Sequence, residues 1–479
     1  KSACRKMVRK HNKSTTETTK LPDNAWITLS NQILAARDAA LGRAGNEVRV
    51  NTHITFDKDN VLGASLATVY KGTFDGQVAA IKRIVRQPGH LKVDYAKEAG
   101  TLQDVSGQKN IIRLFGHCLD DNFLYLAMEY ADGGSLETMI QENTFQKWAE
   151  RRDVCRQICT GLHHLHDTCG MTHCDIKPQN ILFKTEETRQ GKSLVVKICD
   201  FGLSRKVGFD HTHKSIASGI GAGTRKWMPP EGIRELGNKN TTSTAERSVS
   251  YDVHPCAMVL FYVLSQGNYP FQGVRIDEVE QNIVKGRHVK ELSRGSGSSS
   301  GETKYSSSAN DLDDEMGRKE AMHLITKMLD IHPKRRPTMR GVLEHPFFMT
   351  PSEKLEVIRA GKNTDWTWLK NKKLVVNGSQ RSWLNVAQLE RVKTYVSGDS
   401  RYRNTLKELA RCIRNVREHV YDRSRNGKTA ADTNSDLARF FGVNVVKRED
   451  ADATDEMLVK YFASAVPDLF LQLSKWSVH

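Results

Sequence analysis

Nowhere in the 479 residues is there an uninterrupted apolar run of the ~18–20 residues that a bilayer span requires. The basic N-terminus, Lys1 to Lys20, also lacks the apolar core of a signal peptide. No membrane contact is therefore expected within this chain, although an anchor upstream of Lys1 would be compatible with it. Metal-ligand spacing is missing as well. The nine cysteines are scattered without a CxxC pair, and several sit in apolar runs, which argues against a zinc framework or disulfide scaffold and for reduced, buried thiols in a cytoplasmic setting. No segment repeats at a fixed period, which excludes a solenoid.

What is present is an ordinary globular composition, 38% hydrophobic and 27% charged, with a formal net charge of +16. A chain of this length accommodates two or three domains. The positive balance favours a polyanionic partner such as nucleic acid or an acidic surface, and a solvated basic exterior is the alternative. Residues 1–50 read as a basic linker with a short Ala/Leu-rich helix, Ile33 to Leu41. From Ile54 the pattern turns to short β-type runs. Thr68–Tyr70 and Val78–Ile84 flank the turn Phe74-Asp75-Gly76, and a charged helical stretch follows at Val93–Leu102. From about Ala149 the apolar residues recur at helical spacing, Ile158, Leu162 and Leu165 among them. Residues 293–315, Ser/Gly-rich and then acidic, read as a disordered insert. Beyond Pro346 the composition shifts to Lys/Arg-rich helical segments carrying Trp366, Trp368, Trp383 and Trp476, which places a domain boundary near residue 350.

Phosphoryl transfer needs a lysine for the α/β-phosphates, an acid to orient it, an acceptor for the hydroxyl proton and groups to hold metal. All occur here in the right order. Val78-Ala79-Ala80-Ile81-Lys82 resembles the third-strand lysine motif of protein kinases, with Glu98 as its helical ion-pair partner. His173-Cys174-Asp175-Ile176-Lys177-Pro178-Gln179-Asn180 resembles the catalytic loop. Asp175 would accept the proton, Lys177 would meet the moving phosphate, and Asn180 would bind metal together with Asp200 of Asp200-Phe201-Gly202. Met128-Glu129-Tyr130-Ala131 reads as gatekeeper and adenine-binding hinge, and Gly63 and Val69 would cover the nucleotide. Pro230-Glu231 would pair with Arg336, and Asp252 would anchor the long helix beyond. Any one motif arises often by chance; their joint order does not.

Two departures bear on activity. The glycine-rich loop, Leu62-Gly63-Ala64-Ser65-Leu66-Ala67-Thr68-Val69, is one residue short and keeps only its first glycine, so the backbone cannot approach phosphates as closely as usual. Cys174 stands where most such kinases carry an arginine that clamps a phosphorylated activation loop. Between Asp200 and Glu231, Thr212, Ser215, Ser218 and Thr224 lie beside Lys214, Arg225 and Lys226, a setting suited to autophosphorylation.

Residues 405–422 read as one amphipathic helix opened by Thr405. Leu406, Leu409, Ala410, Ile413, Val416 and Val420 share a buried arc, and Arg411, Arg414, Asn415, Glu418 and His419 lie outside it, with Asn415 and His419 one turn apart. Taken alone, such a face is more often merely solvated. Following directly on a kinase domain, though, Arg414-Asn415-x-x-x-His419 and the closing Tyr461-Phe462-Ala463-Ser464-x-x-Pro467-Asp468-Leu469 resemble the kinase-extension nuclease of the inositol-requiring endoribonucleases of the unfolded-protein response and of ribonuclease L.

That resemblance implies an α+β fold, a bilobal kinase over residues 51–349 followed by an all-α nuclease over 350–479. It implies ATP or ADP and Mg2+ for the kinase, an RNA substrate, no metal for the RNA cleavage, and a homodimer or higher oligomer as the active form. The 2′-hydroxyl would attack the adjacent phosphate, with His419 as general acid, Arg414 and Asn415 holding the phosphate, and a tyrosine assisting as base. Tyr402 is the choice for that tyrosine, and Tyr395 is the alternative. With no ankyrin repeats ahead of the kinase, the chain as given is not a complete ribonuclease L. An upstream anchor would put it on the cytosolic face of the endoplasmic reticulum. Two other readings stay open: a nucleotide-responsive pseudokinase scaffold whose only chemistry is RNA cleavage, and an ordinary serine/threonine kinase with a helical docking appendage.

Overall fold

A computed structural model describes residues 46–64, 67–85, 92–120, 122–189, 191–207, 222–237, 248–290, 292, 309–360, 374–376, 379–381, 406–423, 451–466 and 469–473. The expected helix Ile33 to Leu41, the four tryptophans beyond residue 360 and residues 293–308 of the expected insert lie outside these.

The N-terminal lobe is one antiparallel sheet of order β1-β2-β3-β4-β6-β5. Its strands are β1 (Glu47–Arg49), β2 (Ile54–Ala64), β3 (Thr68–Phe74), β4 (Gln77–Val85), β5 (Leu114–Leu119) and β6 (Phe123–Glu129). The domain thus starts before residue 51. β1 pairs Val48 with Phe56, and burying Val48 against the sheet adds this strand to the kinase lobe. The β3–β4 hairpin turns on Asp75 and Gly76, both with positive φ (50° and 78°), the backbone a two-residue hairpin demands. Helix α1 (Lys92–Val105) turns Ala99, Leu102 and Val105 into a core shared with Leu124, Leu126 and Met128 of β6.

The second lobe is mainly helical. α2 (Leu136–Gln141) starts at Ser135, whose hydroxyl accepts from Thr138 N at 3.2 Å. α3 (Trp148–His163) buries Val154, Ile158 and Leu162 at i, i+4 spacing and continues through one wider turn, His164–Thr168. β7 (Met171–Thr172) pairs with β10 (Arg205–Lys206), and β8 (Ile181–Thr188) with β9 (Gly191–Ile198). α4 (Ala222–Arg225) and α5 (Pro230–Gly237) precede α6 (Ser250–Leu264), which is apolar around nearly its whole circumference and accordingly central. α7 (Ile276–Lys285), α8 (Ala309–Met328) and α9 (Met339–Leu343) complete the lobe.

α8 shortens the expected insert, because residues 309–315 are already helical. Residues 311–315, which read as disordered, occupy the first turns of that helix.

At the expected boundary a capping box starts the next helix. Thr350 Oγ1 accepts from Glu353 N at 3.2 Å, Glu353 Oε2 accepts from Thr350 N at 2.7 Å, and Pro351 takes the first helical position. α10 (Pro351–Ala360) is followed by β11 (Leu374–Val376), β12 (Ser379–Arg381), α11 (Leu406–Arg423), α12 (Ala451–Ala465) and α13 (Leu469–Leu473). The extension is helical but not all-α, since β11 and β12 form an antiparallel pair. The signal was in the sequence: Val375-Val376-Asn377-Gly378 ends a β-branched run on the dipeptide that most strongly marks a tight hairpin. α10 packs against both α11 and α12, and α12 also lies on α8 of the kinase lobe.

Candidate active sites

Three strands carry the upper wall of the first site. Gly63 of β2 stands opposite Val69 of β3, which stands opposite Lys82 of β4, so the three share one face of the sheet. Lys82 Nζ donates to Asp200 Oδ1 at 2.7 Å. Its positive charge is the main reason the Asp200 carboxyl sits below its ordinary range, burial acting in the opposite sense. Burial, helped by the neighbouring Asp200 charge, pushes the Cys199 thiol up to about 12. Glu98 lies on α1 as expected, but its side chain is outside the described residues.

The lower wall is the loop after β7. Lys177 Nζ donates to Asp175 Oδ2 at 2.6 Å and to Thr224 Oγ1 at 3.0 Å. Asn180 Nδ2 donates to the Asp175 carbonyl at 2.8 Å and to Asp175 Oδ2 at 2.9 Å. One carboxylate oxygen is thereby occupied twice, whereas buried Asp175 Oδ1 has no hydrogen-bond partner among the described residues. An unmatched buried acceptor is costly, and it is what a substrate hydroxyl would meet. Thr224, one of the four expected phosphorylation candidates, is instead a ligand of Lys177. Thr212, Ser215 and Ser218 lie outside the described residues.

This loop is held by Asp252, a residue of zero exposure. Its Oδ2 accepts from His173 N at 2.7 Å and meets His166 Nε2 at 2.9 Å, and its Oδ1 accepts from Cys174 N at 2.8 Å. Burial alone would raise its pKa, but the His166 contact and the backbone N–H groups outweigh that and hold it low. Cys174 and Asp200 both have φ of 67°, a left-handed conformation that disfavours side chains by about 1–2 kcal/mol. The sequence reading assigned Asp252 to anchoring its own helix. In the fold it also clamps the catalytic loop and fixes that strained backbone at Cys174.

The expected hinge residues lie at the end of β6, the last strand of the N-terminal sheet in chain order, and just beyond it. Glu129 pairs with Ala79 at the end of β6, yet its side chain is taken by Lys184 (2.5 Å) and Lys197 (2.9 Å) on β8 and β9. Burial works to raise its pKa, but the two lysines prevail and keep the carboxyl low. A nucleotide would therefore meet Glu129 through its backbone. Half-buried Ala131 follows two residues on. Below the site Arg336 grips Glu231 with two prongs, Nη1 to Oε1 at 2.7 Å and Nη2 to Oε2 at 2.8 Å, as the motifs led one to expect.

The oxygen-rich pair Asp200 and Asn180 suits a hard cation such as Mg2+, since Asn180 spends its NH2 on Asp175 and keeps its amide oxygen as a ligand. Use of ATP with Mg2+ is general to such a domain. When bound, the metal would neutralise phosphate charge, and Lys82 and Asp175 Oδ1 are placed where phosphates and a substrate hydroxyl would meet them.

The second candidate site lies on α11. Leu409, Ala410, Cys412, Ile413 and Val416 are buried, Arg411 is exposed, and Arg414 and Asn415 are half-buried. Arg414 Nη2 donates to Asn415 Oδ1 at 3.0 Å, so two of the predicted phosphate-holding groups are in contact. The backbone of His419 is in the same helix, but its side chain is outside the described residues, as are Tyr402, Tyr395 and Thr405 altogether. Sequence reasoning passed over Arg417, a side chain of the helix that bonds two other helices. It donates twice to Asp455 of α12, at 3.0 and 2.7 Å, and once to Glu356 of α10, at 2.7 Å.

A bilobal fold with a lysine–aspartate pair above and an aspartate–lysine–asparagine cluster below defines a protein kinase. Residues 56–348 match the protein kinase domain, and the chain belongs to that family. Over much of its length it is also similar to kinase/endoribonucleases. The chain is 29% identical over 446 residues to serine/threonine-protein kinase/endoribonuclease ire-1 of Caenorhabditis elegans, covering 89% of this chain and 39% of that protein. It is 30% identical over 331 residues to serine/threonine-protein kinase/endoribonuclease ireA of Aspergillus fumigatus (62% and 27%), and 24% identical over 473 residues to IRE1b of Arabidopsis thaliana (89% and 46%). The chain spans less than half the length of these relatives.

Proposed function

We propose that the chain is a bifunctional enzyme: a serine/threonine kinase that phosphorylates itself, and an endoribonuclease that cuts RNA by 2′-hydroxyl attack without metal. The observation that carries the second half is the reach of the similarity. A match covering 89% of the chain cannot be contained in residues up to 348, so it runs on into the extension, where α11 carries Arg414, Asn415 and His419. The relatives so matched are named for both activities.

For the kinase, Asp175 takes the hydroxyl proton, Lys177 neutralises the transferred phosphoryl group, Lys82 orients the α/β-phosphates, and Asn180 and Asp200 hold Mg2+. Gly63 and Val69 lie over the nucleotide. For the nuclease, His419 protonates the leaving 5′-oxygen while Arg414 and Asn415 hold the phosphate, and Tyr402 assists as base. The active species is a homodimer or larger assembly, its substrate is RNA, and its setting is the unfolded-protein response at the cytosolic face of the endoplasmic reticulum.

Incubation of a stem-loop RNA in EDTA tests the nuclease. The expected products end in cyclic 2′,3′-phosphate and vanish with His419→Ala. Cutting that needs Mg2+ and leaves 5′-phosphate ends would refute it. Mg-ATP turnover that disappears in Lys82→Ala is expected of the kinase, and absence of turnover in both would favour the pseudokinase reading.

A further inference from the structure

We infer that Arg417 is a positioning residue that sets α11, and with it the RNA-cutting groups, in a fixed register against both the kinase lobe and the C-terminal helices. The inference rests on the nuclease reading above for what α11 does, and on geometry for the clamp itself.

Arg417 follows Asn415 by two residues on the same helix, so any displacement of its guanidinium is carried to Arg414 and Asn415 by a rigid rod. The guanidinium is almost enclosed, its side chain 12% exposed, and its two-pronged partner Asp455 is 2% exposed. Five N–H donors in a planar fork specify direction as well as distance. The Nε and Nη2 edge fits the two oxygens of Asp455 on α12, and the remaining Nη1 reaches Glu356 on α10. Three helices from well-separated parts of the chain therefore meet on one side chain.

α10 is not free to follow. Two residues before Glu356, Lys354 Nζ is held by both oxygens of Glu320 on α8, at 2.7 and 2.8 Å, with both side chains 2% exposed. The same ammonium lies 5.7 Å from the Phe470 ring of α13. Two ion-pair groups thus hold α10, Lys354 with Glu320 on one side and, half a turn along the helix, Glu356 with Arg417, which continues to Asp455. The first reaches into the kinase lobe and the second ends on the helix facing α11. A surface arginine serving solubility would be neither enclosed nor bonded through three nitrogens to two other helices.

The test uses the full chain with Arg417→Ala, the milder Asp455→Asn and the double variant. A misplacement of about 1 Å in a site built on orientation costs on the order of 10²-fold in rate. RNA cleavage should fall by that order in kcat, with KM and Mg-ATP autophosphorylation unchanged. The double variant should be no worse than Arg417→Ala, because one contact is removed twice. Backbone amide exchange should accelerate in α11 and not in α8. Cleavage and α11 exchange at wild-type values in Arg417→Ala would overturn the inference. If the unaltered chain cuts no RNA, the nuclease reading fails, and exchange still decides the clamp: faster in α11 supports it and unchanged refutes it.

Discussion

Substituting Asp252 with asparagine should damage the kinase lobe more than any change of one atom elsewhere in it. Asp252 accepts two backbone N–H bonds, from His173 at 2.7 Å and Cys174 at 2.8 Å, and meets His166 at 2.9 Å, all at zero exposure. Asparagine has one acceptor oxygen. Whichever way it is turned, its NH2 must face a partner that is itself a donor or lose that bond. Bonds to charged groups contribute roughly 1.5–3 kcal/mol each, so losing one and weakening another costs about 3 kcal/mol.

In a domain of this size that lowers Tm by about 5 °C. The effect on catalysis should exceed the effect on stability, because the bond to Cys174 N also holds the left-handed backbone immediately before Asp175. Differential scanning calorimetry with autophosphorylation measured well below the lowered Tm checks both. An Asp252→Asn variant with unchanged Tm and full activity would refute the assignment of the loop's geometry to this carboxylate. The carboxylate also carries a pH signature. Its pKa is depressed on folding, so its contribution is present above the ordinary carboxylate range and drains away as pH falls through the folded value.

Two further outcomes follow from buried charge near the junction of kinase and extension. Lys354→Met strands Glu320, whose pKa burial already raises, and should destabilise by about 3–5 kcal/mol; Lys354→Met with Glu320→Leu should recover most of that by thermal unfolding. His345 is buried beside His323 and is depressed to about 2, chiefly by burial, with Nδ1 accepting from Phe347 N at 3.1 Å. Its unfolded form protonates near 6.5, so stability should begin to fall below that pH and lose about 2 kcal/mol by pH 5, a slope that urea titrations should find flattened in His345→Gln.

How far the residues alone led can be judged element by element. The kinase motifs were legible because they are local: β-alternation around Lys82, the contiguous run from His173 to Asn180, and Asp200-Phe201-Gly202 each fit within one turn or strand. The hairpin at Asp75-Gly76 and the buried stripe of α11 were legible for the same reason, since a period of two or 3.6 residues records which side faces inward. The Asn377-Gly378 signal was equally local, a tight-turn dipeptide within segments that otherwise read as basic and helical. The strand at Val48 was hidden because three residues carry no period.

Chain order and short spacing thus sufficed for the protein kinase family and the α+β class, and they named candidate groups for two sites. Tertiary structure alone decided the couplings that no motif names. Asp252 reaches a loop 78 and 79 residues back, and Arg417 spans 38 to Asp455 and 61 to Glu356. No local pattern encodes such pairs, because an ion pair constrains only where two side chains end, and that place is set by how helices and sheet pack between them.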